Sequence, residues 1–277
     1  MADGAIMLDV SNLGLDELLP LPPTLQELYC DGNNLTELPP LPDGLKILSC
    51  RQNKLKRLPS LPSALEDLYC GQNKLKELPS LPLTLEYLEC NDNKLLILPP
   101  LPLSLVFFDC CNNRLAQLLP LPLTLQEFDC SCNNLTELPS LPPTLKILCC
   151  NENKLTSLPP LPLALEKFQC YINNLTELPI LPPRLKILEC SFNKLTSVSV
   201  LPYTLEKFRY FGNNFLDFYY DAKIDVIRQS QIQEKLLLLR KKISCRTIQK
   251  IWTRYWYYPN SEGISRYSSY MANVDLG

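Results

Sequence analysis

One twenty-residue unit is written ten times in this chain without an insertion or a deletion. LPPTLQELYCDGNNLTELPP (21–40) returns as LPDGLKILSCRQNKLKRLPS (41–60), and the register holds until Leu201 opens the tenth copy. Such self-similarity outranks every other signal, because stacked repeats bury a continuous core that no single unit could enclose. The unit reads Leu25-x-x-Leu28-x-Cys30-x-x-Asn33-x-Leu35-x-x-Leu38. Leu28 and Cys30 are two apart, the period of a strand with one buried face. Twenty residues are too few for a strand plus a full helix. The Leu-Pro-x-Leu-Pro return also opposes helix, since Pro fixes φ and restricts the residue before it. The spacing therefore predicts a solenoid: a parallel β-sheet on the concave face, and polyproline-II or short 3₁₀ segments on the convex face.

Two columns run the length of the repeats. The asparagine column is Asn33, Asn53, Asn73, Asn93, Asn113, Asn133, Asn153, Asn173, Asn193 and Asn213. A side-chain amide both donates and accepts. At a turn it can bond backbone groups that the strand leaves unpaired, in its own coil and in the next, so this is a structural ladder. The cysteine column is Cys30, Cys50, Cys70, Cys90, Cys110, Cys130, Cys150, Cys170 and Cys190, with Tyr210 closing it. Buried Cys packs as a small hydrophobe, and that is the leading reading. A disulfide between parallel neighbours would be strained. A soft-metal ladder would need thiolates in a dry core. Cys111, Cys132, Cys149 and Cys245 lie off the column, and Cys149 is expected to face outward as the accessible thiol.

The boundaries follow from the columns. Residues 1–20 are a degenerate first copy, in which Leu8, Val10, Leu15 and Leu18 match but Leu13 replaces Asn. Terminal repeats are atypical because they cap the stack. Residues 21–218 are the ten full copies, turning aromatic at Phe208, Tyr210, Phe215 and Phe218. Residues 219–258 read as an amphipathic C-terminal α-helix, a cap or a free arm, with Ile232, Leu236, Leu239 and Ile243 at helical spacing beside Lys242, Arg246, Lys250 and Arg254. Residues 259–277 read as a flexible tail. Charge divides with the boundary: 219–277 hold ten basic and five acidic residues, net +5, and the rest of the chain 17 basic and 24 acidic, net −7.

Composition narrows the function classes. The 26 prolines are periodic and interleaved with leucine, which argues against disorder. The chain has no histidine, which removes every His-based triad, shuttle or metal site. No phosphate-binding glycine loop or recognisable catalytic carboxylate pair is present, so the reading is non-enzymatic, with no cofactor and no metal. MADGAIMLDV lacks the basic start and long apolar run of a secretion signal, and no segment is apolar enough to span a bilayer. Thirteen cysteines then point to thiols in a reducing compartment, the cytoplasm.

The consensus LPxLPxxLxxLxCxxNxLxxLP resembles the twenty-residue bacterial class of leucine-rich repeats found in YopM-like and IpaH-like effectors, over residues 8–218. The resemblance implies a leucine-rich-repeat solenoid of horseshoe form. Family members usually carry Val, Ala or Leu where this chain has Cys. IpaH-like effectors add a ubiquitin-ligase domain with a Cys-x-Asp loop. Here Cys245 is followed by Arg246 and Thr247 in a short tail, so the ligase activity is not implied. The segment CRTIQKIWTRYWYYPN is similar to tails on repeat proteins of large DNA viruses of amoebae, and distantly to the IQ motif that binds calmodulin-like proteins.

The leading function is a protein-interaction scaffold that binds a partner on the concave face. Tyr69, Tyr87, Glu89, Phe107, Asp109, Glu127 and Asp129 fall on outward strand positions of four consecutive copies, aromatic anchors amid acidic charge suited to a basic partner. The alternative is a host-directed effector whose basic helix recruits a second factor: a calmodulin-like protein, nucleic acid or an anionic membrane. For the tail alone, a capping role ranks first, a partner-binding helix second, and nucleic-acid or membrane contact third.

Overall fold

The computed structural model describes residues 6–198 and 200–214. They form eleven three-residue strands: β1 (Met7–Asp9), β2 (Glu27–Tyr29), β3 (Ile47–Ser49), β4 (Asp67–Tyr69), β5 (Tyr87–Glu89), β6 (Phe107–Asp109), β7 (Glu127–Asp129), β8 (Ile147–Cys149), β9 (Lys167–Gln169), β10 (Ile187–Glu189) and β11 (Lys207–Arg209). The strands join one parallel sheet in chain order. Each register step is one repeat, so Leu28 faces Leu8 on one side and Leu48 on the other. The degenerate first copy thus supplies β1. The expected C-terminal helix and tail, with Phe215, Phe218 and Cys245, lie outside the described residues. Among the described residues no helix is long and apolar enough to cross a membrane.

The core is built from columns. The middle residue of each strand from β2 to β10 is buried, and three of them are the bulkier Phe108, Phe128 and Phe168. Phe108 stacks on Phe128 with ring centroids 5.4 Å apart. Leu25, Leu35 and their repeats are fully buried through Leu185 and Leu195, as is the whole cysteine column. Burying each such leucine contributes about 1.5–3 kcal/mol. The return carries one turn per coil, in which the Leu25 N–H donates to the Pro22 carbonyl at 3.1 Å, repeated through Leu205 and Pro202. A hydroxyl column that the sequence reading missed braces these turns. Thr84 Oγ1 donates to the Ser63 and Leu65 carbonyls of the preceding coil (2.9 and 2.7 Å), and Ser104, Thr124, Thr144 and Thr204 repeat the bond.

The asparagine ladder is present from Asn33 to Asn213, buried at every copy. Asn113 is representative. Its Nδ2 donates to the Cys90 carbonyl of the preceding coil (3.0 Å) and to the Cys110 and Cys111 carbonyls of its own (3.1 and 3.2 Å). Its Oδ1 accepts the Leu95 N–H at 2.9 Å. The intercoil bonds therefore reach back one coil, whereas the sequence reading placed them in the next. The reason is geometric: the amide follows the strand, so it meets the Leu95 N–H of the preceding coil and shares the Cys90 carbonyl with that coil's own Asn93.

Just before each ladder asparagine the backbone turns through positive φ. Gly32 and Gly212 suit that turn, but Ile172 (φ 54°) and Phe192 (φ 55°) also occupy it. A β-branched residue is strained there, and Asn is tolerated far better. We expect Ile172→Asn to raise stability by about 1 kcal/mol, read as a higher midpoint in urea. An unchanged or lower midpoint would mean that the half-exposed Ile172 side chain contributes packing that offsets the strain.

Cys149 requires a correction. It does sit on the outer face of β8, but it is only 5% exposed, and its thiol donates to Gln169 Oε1 at 3.1 Å. Burial pushes that thiol up to about 12. The neighbouring Gln169 side chain covers it, which a reading by alternation alone could not foresee. Cys111 and Cys132 are the partly exposed thiols among the described residues, and every described cysteine is unpaired with another.

Candidate interaction face of the sheet

Strand alternation sends one face of each three-residue strand into the core and leaves its first and third residues outward. The register then aligns these outward residues into two columns. Tyr87, Phe107 and Glu127 follow one another on β5, β6 and β7. Tyr69, Glu89, Asp109 and Asp129 follow one another on β4 to β7. All seven residues singled out from the sequence therefore lie on one contiguous part of the sheet. Their roles there are not equivalent.

Two of them are already engaged. Arg51, which the sequence reading passed over, reaches across an intervening coil to Glu89, its Nε and Nη2 each donating to a carboxylate oxygen at 2.7 Å. Its guanidinium lies 4.2 Å from the centre of the Tyr69 ring. Nη1 adds a bond to Ser49 Oγ at 3.3 Å and stands 4.0 Å from Asp31. Asp31 is held in turn by the Ser49 hydroxyl at 2.8 Å and by the Arg51 N–H at 2.6 Å. The Glu89 hydrogen bonds raise the Arg51 pKa further. The two partners stand 38 residues apart in sequence, so only the stacking of coils brings them together.

The next strands along are different. Tyr87 and Phe107 stack with ring centroids 6.0 Å apart and planes 23° from parallel, and Tyr87 is 39% exposed. Beside them Asp109 and Asp129 face each other in register. Each carboxylate accepts the N–H two residues on, from Cys111 at 2.9 Å and from Ser131 at 2.8 Å. Among the described residues no Lys or Arg pairs with either one. Burial, with the charges of Asp129 and Glu89, pushes the Asp109 carboxyl up to about 6, against the lowering effect of its Cys111 bonds. Glu127 is exposed at the edge of the patch.

Asp109, Cys111 and Asp129 each bring one possible ligand atom within 4.8 Å of the others. Burial and the adjacent carboxylates push the Cys111 thiol far up, so the cluster presents two carboxylates and a neutral thiol. That donor set suits a hard or delocalised cation better than a thiolate-seeking metal.

The raised Asp109 has a consequence for stability. Its folded value lies above its unfolded value of 3.8, so the fold favours the protonated form. The contribution is fully present below about 4 and is lost as pH rises through about 6. We therefore expect Asp109→Asn to be more stable than the parent at pH 7, with the difference vanishing by pH 4. Parallel stability curves over that range would contradict it.

Comparison with known proteins supports this architecture. No protein-family model matches the chain, and no curated protein matches it in sequence. Among solved structures it is similar to YopM from Yersinia enterocolitica WA-314, at 36% identity with a TM-score of 0.64, over 73% of this chain and 50% of that one. The chain thus spans half the length of that YopM. It is also similar to the functional domain of InlJ from Listeria monocytogenes, whose structure includes a cysteine ladder: 26% identity, TM-score 0.64, 82% of this chain and 56% of that one. The leucine-rich repeat domain of APL1B shares the fold at 22% identity with a TM-score of 0.61, over 75% of this chain and 69% of that one. The parallel sheet in chain order, the asparagine ladder and these likenesses agree: the chain is a leucine-rich-repeat protein.

Proposed function

We propose that this protein is a non-enzymatic binding scaffold that engages a protein partner on the open face of its sheet, over β4 to β7. The observation that carries the reading is the stacked ring pair of exposed Tyr87 and half-buried Phe107 beside the unneutralised Asp109 and Asp129. Aromatic rings supply contact area at low entropic cost, and carboxylates without a local counter-charge favour a partner with a basic surface. The fold presents this face as a rigid lattice, since every coil is bonded to its neighbours through backbone and asparagine.

The finer class belongs with this proposal. The repeats fit the YopM-like twenty-residue type. The free thiols suit a reducing compartment such as the cytoplasm. A host-directed effector would use the same face and add the basic segment 219–258, with its virus-like tail sequence, as a second recruiting element. That reading rests on sequence resemblance and on the likeness to YopM.

The test is affinity capture by the full chain, with the partners identified by mass spectrometry. Tyr87→Ala combined with Asp109→Lys is expected to abolish capture of the main partner while leaving the circular dichroism spectrum unchanged. Undiminished capture by a folded double variant would move the binding site off this face.

A further inference from the structure

Resting on the reading of the sheet face as an interface, we propose that Asp109 and Asp129, with Phe107 and Tyr87 in the neighbouring outward column, form a seat for one arginine side chain of the partner. The fold itself supplies the precedent. Two strands away it already holds a guanidinium, that of Arg51, with a carboxylate taking two of its N–H groups and an aromatic ring against its plane. The same two ingredients recur on β5 to β7. There the carboxylates belong to in-register residues on adjacent strands, and the rings belong to the neighbouring outward column. The cation is what the described residues do not provide.

Geometry selects arginine over lysine. Neighbouring strands lie about 4.8 Å apart, so in-register carboxylates are spaced for a planar fork to bridge them. An ammonium is a point donor and meets the two carboxylates less well, and it gains less from stacking on a ring. The backbone bonds from Cys111 and Ser131 fix one oxygen of each carboxylate, which leaves the pair oriented before a partner arrives.

Arg51 also sets the limit of the site. Because it neutralises Glu89, the open acidic footprint begins at β6 and not at β5. A partner's arginine placed one strand too early meets an occupied carboxylate, so Arg51 acts as a register mark for docking.

A bound cation must hold Asp109 ionised. The groups facing its carboxyl are Asp129 on β7, Glu89 on β5 and Cys111; burial and the two carboxylates oppose ionisation and outweigh the Cys111 hydrogen bonds that favour it. Binding therefore takes up the cost of ionising Asp109, and affinity should fall as pH is lowered from 7 to 5.

The experiment uses the full chain and two fluorescein-labelled nonapeptides, one alternating Arg with Thr and the other Lys with Thr, read by fluorescence anisotropy in buffer holding a chelator. We expect the arginine peptide to bind several-fold tighter than the lysine peptide. Asp109→Asn with Asp129→Asn should weaken it at least tenfold, and Phe107→Leu should narrow the difference between the two peptides without abolishing it. Glu137→Gln with Glu177→Gln removes two exposed charges outside the strands and should change nothing. Equal loss in that control, or no loss in the Asp109/Asp129 variant, overturns the arginine seat. The two ideas fail separately: if the seat fails while Tyr87→Ala with Asp109→Lys still loses the partner, the sheet face remains the interface and only its arginine seat is wrong.

Discussion

Replacing Asn113 with alanine should destabilise the protein by about 2–4 kcal/mol, because a buried N–H is left without an acceptor and several bonds are lost at once. The Leu95 N–H loses Asn113 Oδ1, and Leu95 is fully buried, so water cannot replace it. The Cys90 and Cys110 carbonyls each keep one amide donor, from Asn93 and Asn133. Asn113→Asp should be worse, since a carboxylate would face three carbonyl oxygens in place of an NH₂ group. The effect should shrink at the first coil. Asn33 serves the N–H groups of Leu13 and Leu15, and Leu13 is 64% exposed, so solvent can substitute there. Urea denaturation of the three variants checks the order. Equal costs for Asn113→Ala and Asn33→Ala would show that the ladder is not a buried, bonded spine.

The second large effect lies in the cysteine column. Cys110 is fully buried, and burial lifts its thiol well above the ordinary range, with the neighbouring Cys90 and Cys130 adding to the shift. Cys110→Ser places a hydroxyl in that dry position at a cost of about 1–3 kcal/mol if it finds no partner. Cys110→Ala removes one sulfur, introduces no polar group and should cost less. The same burial keeps the column protonated at neutral pH, so purified protein should carry no stoichiometric metal, because metal binding requires thiolates. One metal per few cysteines by elemental analysis, or serine tolerated better than alanine, would replace packing with chemistry as the reason for the column.

Periodic features were legible because a repeat writes each structural demand ten times. Leu28, Cys30 and Asn33 announce an inward strand face and a bonded turn, and the register of Tyr87, Phe107, Asp109 and Asp129 follows by counting twenties. What escaped was aperiodic or depended on side-chain reach. Arg51 occurs once in its column, and its partner Glu89 is two coils away, so no spacing rule joins them. Cys149 alternates outward but is covered by the Gln169 side chain, whose position depends on its bond to Glu189 at 2.8 Å. The hydroxyl column did carry a signal, Thr or Ser recurring at 84, 104, 124, 144 and 204. Thr24 stands at the same position, the column is interrupted at Gly44, Ala64, Ala164 and Arg184, and its partners lie in the preceding coil.

A partner seated on the open sheet face over β4 to β7 would cover the rings of that face. Hydroxyl-radical footprinting of the full chain, with and without the captured partner, tests it directly. Tyr87 and Phe107 are reactive rings on that face, and Tyr203, 85% exposed, lies in the return before β11 and serves as the internal reference. We expect oxidation of Tyr87 and Phe107 to fall sharply in the complex while that of Tyr203 is unchanged. Protection of Tyr203, with Tyr87 and Phe107 oxidised as in the free protein, would contradict it.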